Sequence, residues 1–302
     1  MRRKETKLEK LLRIRKMTTE KVIKILRLKN LLANSVKCSS CSLNMFERRR
    51  SRIDTICWVC YNKDCPGYKN TCSIRTGSFF EDFRLPLSDI LTIVILWSEG
   101  RQLKDIIKEY GYSKKALISV IEKLRDIAIN YFATSGIRLG GPGSLCQIDE
   151  TLLAHKRKYN RGRVPSEEIW AFGIADTSYT PARCYIEIVP DRSASTLLPI
   201  ISKICKPGTE IHSDGWKAYY NISKLGYAHE IVVHETNFVD PVTRAHTQHI
   251  ESFWNKIKIS IKAMKGISKR QIRGIIAELM FRDWFKENAF LSIVCLMRVF
   301  AK

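Results

Sequence analysis

The spacing of apolar residues changes three times along the chain. Residues 1 to 34 set leucines and isoleucines at roughly helical intervals among lysines and arginines, which predicts one or two basic amphipathic helices. Residues 84 to 132 hold three helical periods, broken at EGRQ and at EYGYS. A helix, a second helix ending at Gly111 and a third capped by Ser113 give the rhythm of a helix-turn-helix unit. The stretch GIRLGGPGS, 136 to 144, with four glycines and a proline, reads as a linker. Beyond it the period changes to that of strands in LCQIDETLLA (145 to 154), IWAFGIADT (169 to 177) and ARCYIEIVP (182 to 190). A helix is expected over 193 to 205, a strand over 209 to 214, a helix over 215 to 226 and a strand over 229 to 234. From Gln248 the pattern is helical to the end. Three consecutive strands, then alternating elements and a late helix, predict a mixed α/β sheet of the ribonuclease H kind.

Composition adds a partner. Against 30 Asp+Glu stand 52 Lys+Arg, a formal charge of +22. Residues 1 to 52 alone contain 17 basic and 4 acidic residues, so +13 of the excess lies in the first sixth. Such a surplus favours a polyanion, because each neutralised phosphate releases condensed counterions. No apolar run is long enough to span a bilayer, and no signal-peptide pattern is present. The expected class is a soluble intracellular protein that binds nucleic acid rather than membrane.

Six of the ten cysteines fall between residues 38 and 72. Cys38-x2-Cys41 and Cys57-x2-Cys60 are two knuckles of a zinc-ribbon signal, followed by Cys65 and Cys72. The second knuckle could be Cys57 with Cys60 or Cys60 with Cys65. Four thiolates leave no open position on the ion, so the expected role of the zinc is structural.

Three acids stand out from this frame. Asp149 lies at the centre of the first strand, where an acid is costly to bury unless paired or bound to a cation. Asp214 closes a strand just before the expected helix, where α/β sheets place their ligands. Glu251, in HTQHIESFWNKIK, lies beside the apolar stripe of Ile250, Phe253, Trp254 and Ile257. Singly, each reads as a strand-end residue, a cap or a surface charge. Together they match the carboxylates that hold two Mg²⁺ (or Mn²⁺) ions for phosphoryl transfer. Lys258, two turns after Glu251, is placed to hold a phosphate. The basic turn KRKYNRGRVP offers Lys156, Arg157, Lys158, Arg161 and Arg163 to a nucleic-acid backbone. His212, His246 and His249 flank the acids as supporting or DNA-facing groups, and Trp216 and Trp254 read as core.

These motifs, in this order, resemble the Merlin superfamily of cut-and-paste DNA transposases and their bacterial insertion-sequence relatives. The resemblance runs from about Cys38 to Lys265 and rests on CSSC, WVCYNKDC, SIRTGSFF, QIDET, KRKYNRGR, IWAFGIAD, HSDGWKAY and HTQHIESFWNKIK. It implies a DDE catalytic domain with Asp149, Asp214 and Glu251 as the acidic triad and Lys258 as the following basic residue. It also implies zinc ligation by Cys38, Cys41, Cys60 and Cys65, leaving Cys57 and Cys72 spare. The implied organisation is a basic arm (1–34), a zinc ribbon (35–80), a helix-turn-helix region (81–135) and a ribonuclease H-like catalytic domain (144–302). The implied partners are terminal inverted repeats and target DNA, with a homo-oligomer in the DNA complex. The expected location is the nucleus in a eukaryotic host and the nucleoid otherwise. A DNA-binding descendant that no longer cuts, and an RNA-cleaving ribonuclease H, are the alternatives.

Overall fold

The segment LSDILTIVILWS is apolar on every side, and such a helix is stable only when surrounded. The computed structural model describes residues 13–50, 53–154, 168–232, 246–264 and 268–299, and it divides into two compact units, 1–127 with 287–302, and 128–286. In the first unit this segment is helix α2 (Leu87–Ser98), with nine of its residues buried. Against it pack α1 (Thr19–Leu28), capped by Thr18, and α8 (Ala289–Val299). The sequence reading ran the C-terminal domain to residue 302. The structure sets α8 on α2, burying Ala289, Ile293 and Met297.

Helix α3 (Leu103–Tyr110) ends at Gly111, whose φ of 71° is the left-handed turn that glycine adopts at least cost. Two residues later the Ser113 hydroxyl accepts from the Ala116 amide at 3.2 Å and starts α4 (Lys114–Thr134). The expected three-helix rhythm is therefore present. The cysteine block forms an antiparallel meander of β1 (Phe46–Arg49), β2 (Ile56–Val59) and β3 (Thr71–Ser73). Arg75, from SIRTGSFF, is buried and forked onto Asp54 by Nε at 2.6 Å and Nη2 at 2.5 Å, while Nη1 donates to the Phe83 carbonyl at 2.7 Å. A buried guanidinium persists because each face of its fork meets an acceptor.

The second unit is built on a mixed five-stranded sheet. Strands β4 (Leu145–Ala154), β5 (Ile169–Asp176) and β6 (Arg183–Val189) form an antiparallel meander. After helix α5 (Ala194–Ile204) the chain returns as β7 (Glu210–Asp214), parallel to β4, and then as β8 (Ala228–Val232), parallel to β7. The order is β6-β5-β4-β7-β8. This is the mixed α/β sheet the strand pattern predicted.

Helix α6 (Gln248–Ala263) lies on one face against β4 and β5, with α7 (Lys269–Phe285) on α6 and β6. Gly173 makes this approach possible. A Cβ there would stand 2.6 Å from Ile250 and 2.8 Å from Trp254 of α6. On the opposite face the Phe172 ring meets Tyr219 at 6.4 Å.

Two expectations change. Residues 215 to 226 are not one helix but two 3-10 turns, Lys217–Tyr219 and Ser223–Leu225. Tyr219 and Ile222, three residues apart, are both buried, and the three-residue period brings them to one side. The glycine-rich stretch 136–144 is not a free linker. Its Gly140 amide donates to Asp176 and its Gly141 amide to Thr209, both at 2.8 Å, and Leu139 pairs with Cys205.

Candidate active site and cysteine cluster

Strands β4 and β7 run parallel with Leu145 opposite Glu210, Cys146 opposite Ile211 and Gln147 opposite His212. The pairing ends there, two residues before Asp149 on β4 and two before Asp214 on β7. Side chains alternate faces along a strand, so Gln147 and Asp149 share one face, and His212 and Asp214 share the matching one. Asp149 pairs with Gly173 and therefore faces α6, where the Trp254 indole Nε1 donates to its Oδ2 at 2.9 Å. Burial, then the charges of Glu150 and Asp214, push the Asp149 carboxyl up to about 7, partly opposed by the Trp254 bond. Like charges crowd the end of this sheet, and such crowding is relieved by a cation. Asp214 is steadied by its own turn, with the Trp216 amide donating to Oδ1 at 3.0 Å.

Glu251 stands in the first turn of α6 and accepts from the Thr247 hydroxyl at 2.7 Å. Thr247 uses its hydroxyl there rather than capping the helix. The cap comes from the sheet. The Gln147 Oε1 accepts from the His249 amide at 2.8 Å and the Ile250 amide at 3.3 Å, while Nε2 donates to His246 Nδ1 at 3.1 Å. Gln147 is 0% exposed, so its amide finds all these partners inside the protein. It joins the helix that carries Glu251 to the strand that carries Asp149. Sequence reasoning passed over it, although a glutamine two positions before an aspartate, on the same face of an apolar strand, was the signal available.

The histidines support the same corner. His212 Nδ1 accepts from the His246 amide at 3.3 Å, so Nε2 carries the proton and faces Glu210 at 2.8 Å. Burial, then the neighbouring His249 and His212, hold His246 below the usual histidine range.

Glu150 was also unmarked in the sequence. It turns to the opposite face, where the Tyr219 hydroxyl donates to it and Arg192 Nη1 stands 3.5 Å from Oε1. Burial first, and Asp214 as well, raise its pKa, with the Tyr219 hydrogen bond opposing. Trp216 departs from its expected place in the core. It is 36% exposed, because Arg192 rather than apolar packing covers its ring. Trp254 is buried as expected. Lys258 is exposed on α6, two turns beyond Glu251. Lys156, Arg157, Lys158, Arg161 and Arg163 lie outside the described residues.

In the first unit the thiols of Cys38, Cys41, Cys60 and Cys65 gather with their sulfurs within 4.8 Å of one another. Cys38 Sγ and Cys65 Sγ are 3.8 Å apart, and Cys41 Sγ and Cys60 Sγ are 3.9 Å apart. Sulfurs about 2.3 Å from a tetrahedral zinc stand about 3.8 Å from each other. The donor set and the spacing fit a structural zinc ion. The Ser40 and Cys41 amides hold the Cys38 thiol down to about 6, whereas burial pushes Cys65 up to about 12. Cys57 lies on β2, and the Cys72 thiol contacts the Met45 sulfur at 3.8 Å. Among the described residues these four cysteines form the close-packed group of metal-ligating side chains. The oxygens of Asp149, Asp214 and Glu251 are not drawn together to that degree.

Residues 141–283 match the family model of the ISXO2-like transposase domain, a span that contains all three acids. A 120-residue stretch, 40% of this chain, is 25% identical to 94% of an uncharacterized transposase-like protein of Haemophilus influenzae. These two matches support a transposase family. Likeness to solved structures is slight. The catalytic core domain of BIV integrase aligns at a TM-score of 0.29 and 15% identity, covering 44% of this chain and 80% of the other. A pre-cleavage Mos1 transpososome aligns at 0.18 and 9%, covering 68% and 78%. No described helix is long and apolar enough to cross a membrane.

Proposed function

We propose that this protein is a DDE transposase of the Merlin kind, with a ribonuclease H-like catalytic sheet that cuts and joins DNA at the ends of a mobile element. The β4–β7 pairing carries the reading, because it ends two residues short of both Asp149 and Asp214, within the segment that matches a transposase family. Carboxylate oxygens are the donors that Mg²⁺ and Mn²⁺ prefer, and crowded acids at a strand end are a setting for such ions. Asp149, Asp214 and Glu251 would hold two of them. Bound there, the ions would activate the attacking oxygen and stabilise the leaving one.

The chain's own groups have separate tasks. Trp254 fixes Asp149, the Trp216 amide fixes Asp214, and Gln147 with Thr247 fixes the helix turn that bears Glu251. Lys258 would hold a phosphate oxygen, and Lys156, Arg157, Lys158, Arg161 and Arg163 would grip the backbone beside the cut. Water would hydrolyse one phosphodiester, and the freed 3′-hydroxyl would attack target DNA in line. The cysteine cluster and the three helices around Gly111 would bind the terminal inverted repeats. Two or more copies would bridge the element's ends. The protein would work in the nucleus of a eukaryotic host or in the nucleoid of a bacterium.

The test is strand nicking of DNA bearing the element's ends, in Mg²⁺, by the wild type and by Asp149→Ala. Nicking by the wild type alone is expected. Equal nicking by both would remove Asp149 from the chemistry. Binding without nicking by the wild type would favour a transposase-derived DNA-binding protein.

A further inference from the structure

Three planar groups stack where β7 leaves the sheet, and none of them has a task in the reaction described above. The Arg192 guanidinium carbon lies 4.0 Å from the Trp170 ring centre and 4.6 Å from that of Trp216. The Trp216 indole is held from its edge, with Nε1 donating to the Arg192 carbonyl at 3.1 Å. Arg192 also reaches Glu150, the neighbour of Asp149, and Trp216 follows Asp214 by two residues. Strand β4 pairs with β7 only from Leu145 to Gln147, so beyond that level β4 lacks this strand partner and the stack begins.

The Trp216 indole is 36% exposed, held from its edge and covered on one face by a guanidinium. What such a surface binds is another flat, polarisable group next to negative charge. An unpaired nucleobase with its phosphate has both properties, since every base offers a π-face and its backbone complements arginine. A paired base has its faces occupied by the duplex.

We propose that Trp216, backed by Arg192 and Trp170, seats an unpaired base of the DNA strand end whose phosphate is presented to Asp149 and Asp214. Trp216 is then a positioning residue. It selects frayed or single-stranded flanks over fully paired ends. This rests on the DNA-cutting reading above. It adds to that reading which local DNA structure the site accepts.

Trp216→Ala removes the indole but keeps the main-chain amide that donates to Asp214, so the acid stays held. Fluorescence anisotropy in Ca²⁺ would compare labelled end-bearing duplexes that are fully paired with duplexes carrying two unpaired nucleotides at the end. The wild type is expected to bind the unpaired ends about tenfold more tightly, the range of one stacked base. Trp216→Ala is expected to lose that preference while binding paired DNA as before, and Trp216→Phe to keep part of it. An unchanged preference in Trp216→Ala, or no preference in a wild type that nicks DNA, overturns the seat and leaves the transposase reading intact. A wild type that neither binds nor nicks either DNA overturns both.

Discussion

The Trp254 indole donates to the Asp149 carboxylate across 2.9 Å, joining the face of α6 to the centre of β4. The same tryptophan fills the space that Gly173 leaves empty, so one side chain both packs the helix and aims the acid. Trp254→Phe keeps an aromatic ring in that space and removes the donor. Its expected cost is about 2 kcal/mol of stability, the value of a hydrogen bond to a charged group. End nicking should fall about tenfold as Asp149 loses its fixed orientation. Chemical denaturation and nicking rates on one preparation check this. A variant as fast as the wild type would show that Asp149 is held by other means.

Asp149 is half-buried among like charges, and without a cation that arrangement opposes folding. Burial, then the charges of Glu150 and Asp214, push its carboxyl up to about 7, well above the usual carboxylate range. The folded state therefore binds the proton more tightly, and stability falls as pH rises from about 4 through 7. Asp149→Asn, which keeps an acceptor for Trp254, should be more stable than the wild type by about 2 kcal/mol at pH 8 in EDTA. The advantage should shrink as pH falls below 7. Mg²⁺ should raise the melting temperature of the wild type more than that of the variant. Melting curves at pH 5 and pH 8, with and without Mg²⁺, decide the matter, and a variant less stable at pH 8 would count against charge crowding.

The sulfur spacings separate four cysteines from the two that share their block. Cys38→Ser and Cys60→Ser should each abolish the one zinc per chain, whereas Cys57→Ser and Cys72→Ser should retain it. Metal analysis of the purified variants reads this directly. Chelation of the wild type should unfold the β1–β3 meander, because so small a sheet depends on its ion. Zinc loss in Cys57→Ser with retention in Cys65→Ser would reassign the second knuckle.

Gln147 caps a helix from another element, so its removal takes the acceptor from two main-chain amides, the part-buried one of His249 and the buried one of Ile250. Gln147→Leu, similar in volume, should cost about 1–3 kcal/mol for the unsatisfied groups. It should also speed hydrogen exchange at the His249 and Ile250 amides. Gln147→Glu keeps the acceptor oxygen and should restore exchange protection in part. Unchanged exchange in Gln147→Leu would show that the first turn of α6 is anchored elsewhere.

The strands around Asp149 were legible because their β-branched and aromatic runs are bounded by turn residues, and Asp149 and Asp214 stood out as acids in or closing them. The turn at Gly111 and the cap at Ser113 were legible for the same reason, since each has a local cause. The segment 215–226 was not. Its apolar residues fit a helical period, whereas the Tyr219 hydroxyl is tied to Glu150, a contact 69 residues away. The glycines of 136–144 advertised flexibility, yet Asp176 and Thr209 hold their amides. Trp216 looked like core because its stacking partner, Arg192, comes from a distant part of the chain. Short-range patterns survived folding, whereas features decided by tertiary partners did not show.

The grip of Gln147 is on main-chain amides, so it does not depend on which side chains follow. Substitutions at the exposed position 249, though not at Ile250 in the core, can therefore alter what that corner presents to a ligand while the helix stays moored. Proline, which has no N–H to give, is the exception at either position. The fastening and the surface it displays are free to evolve separately.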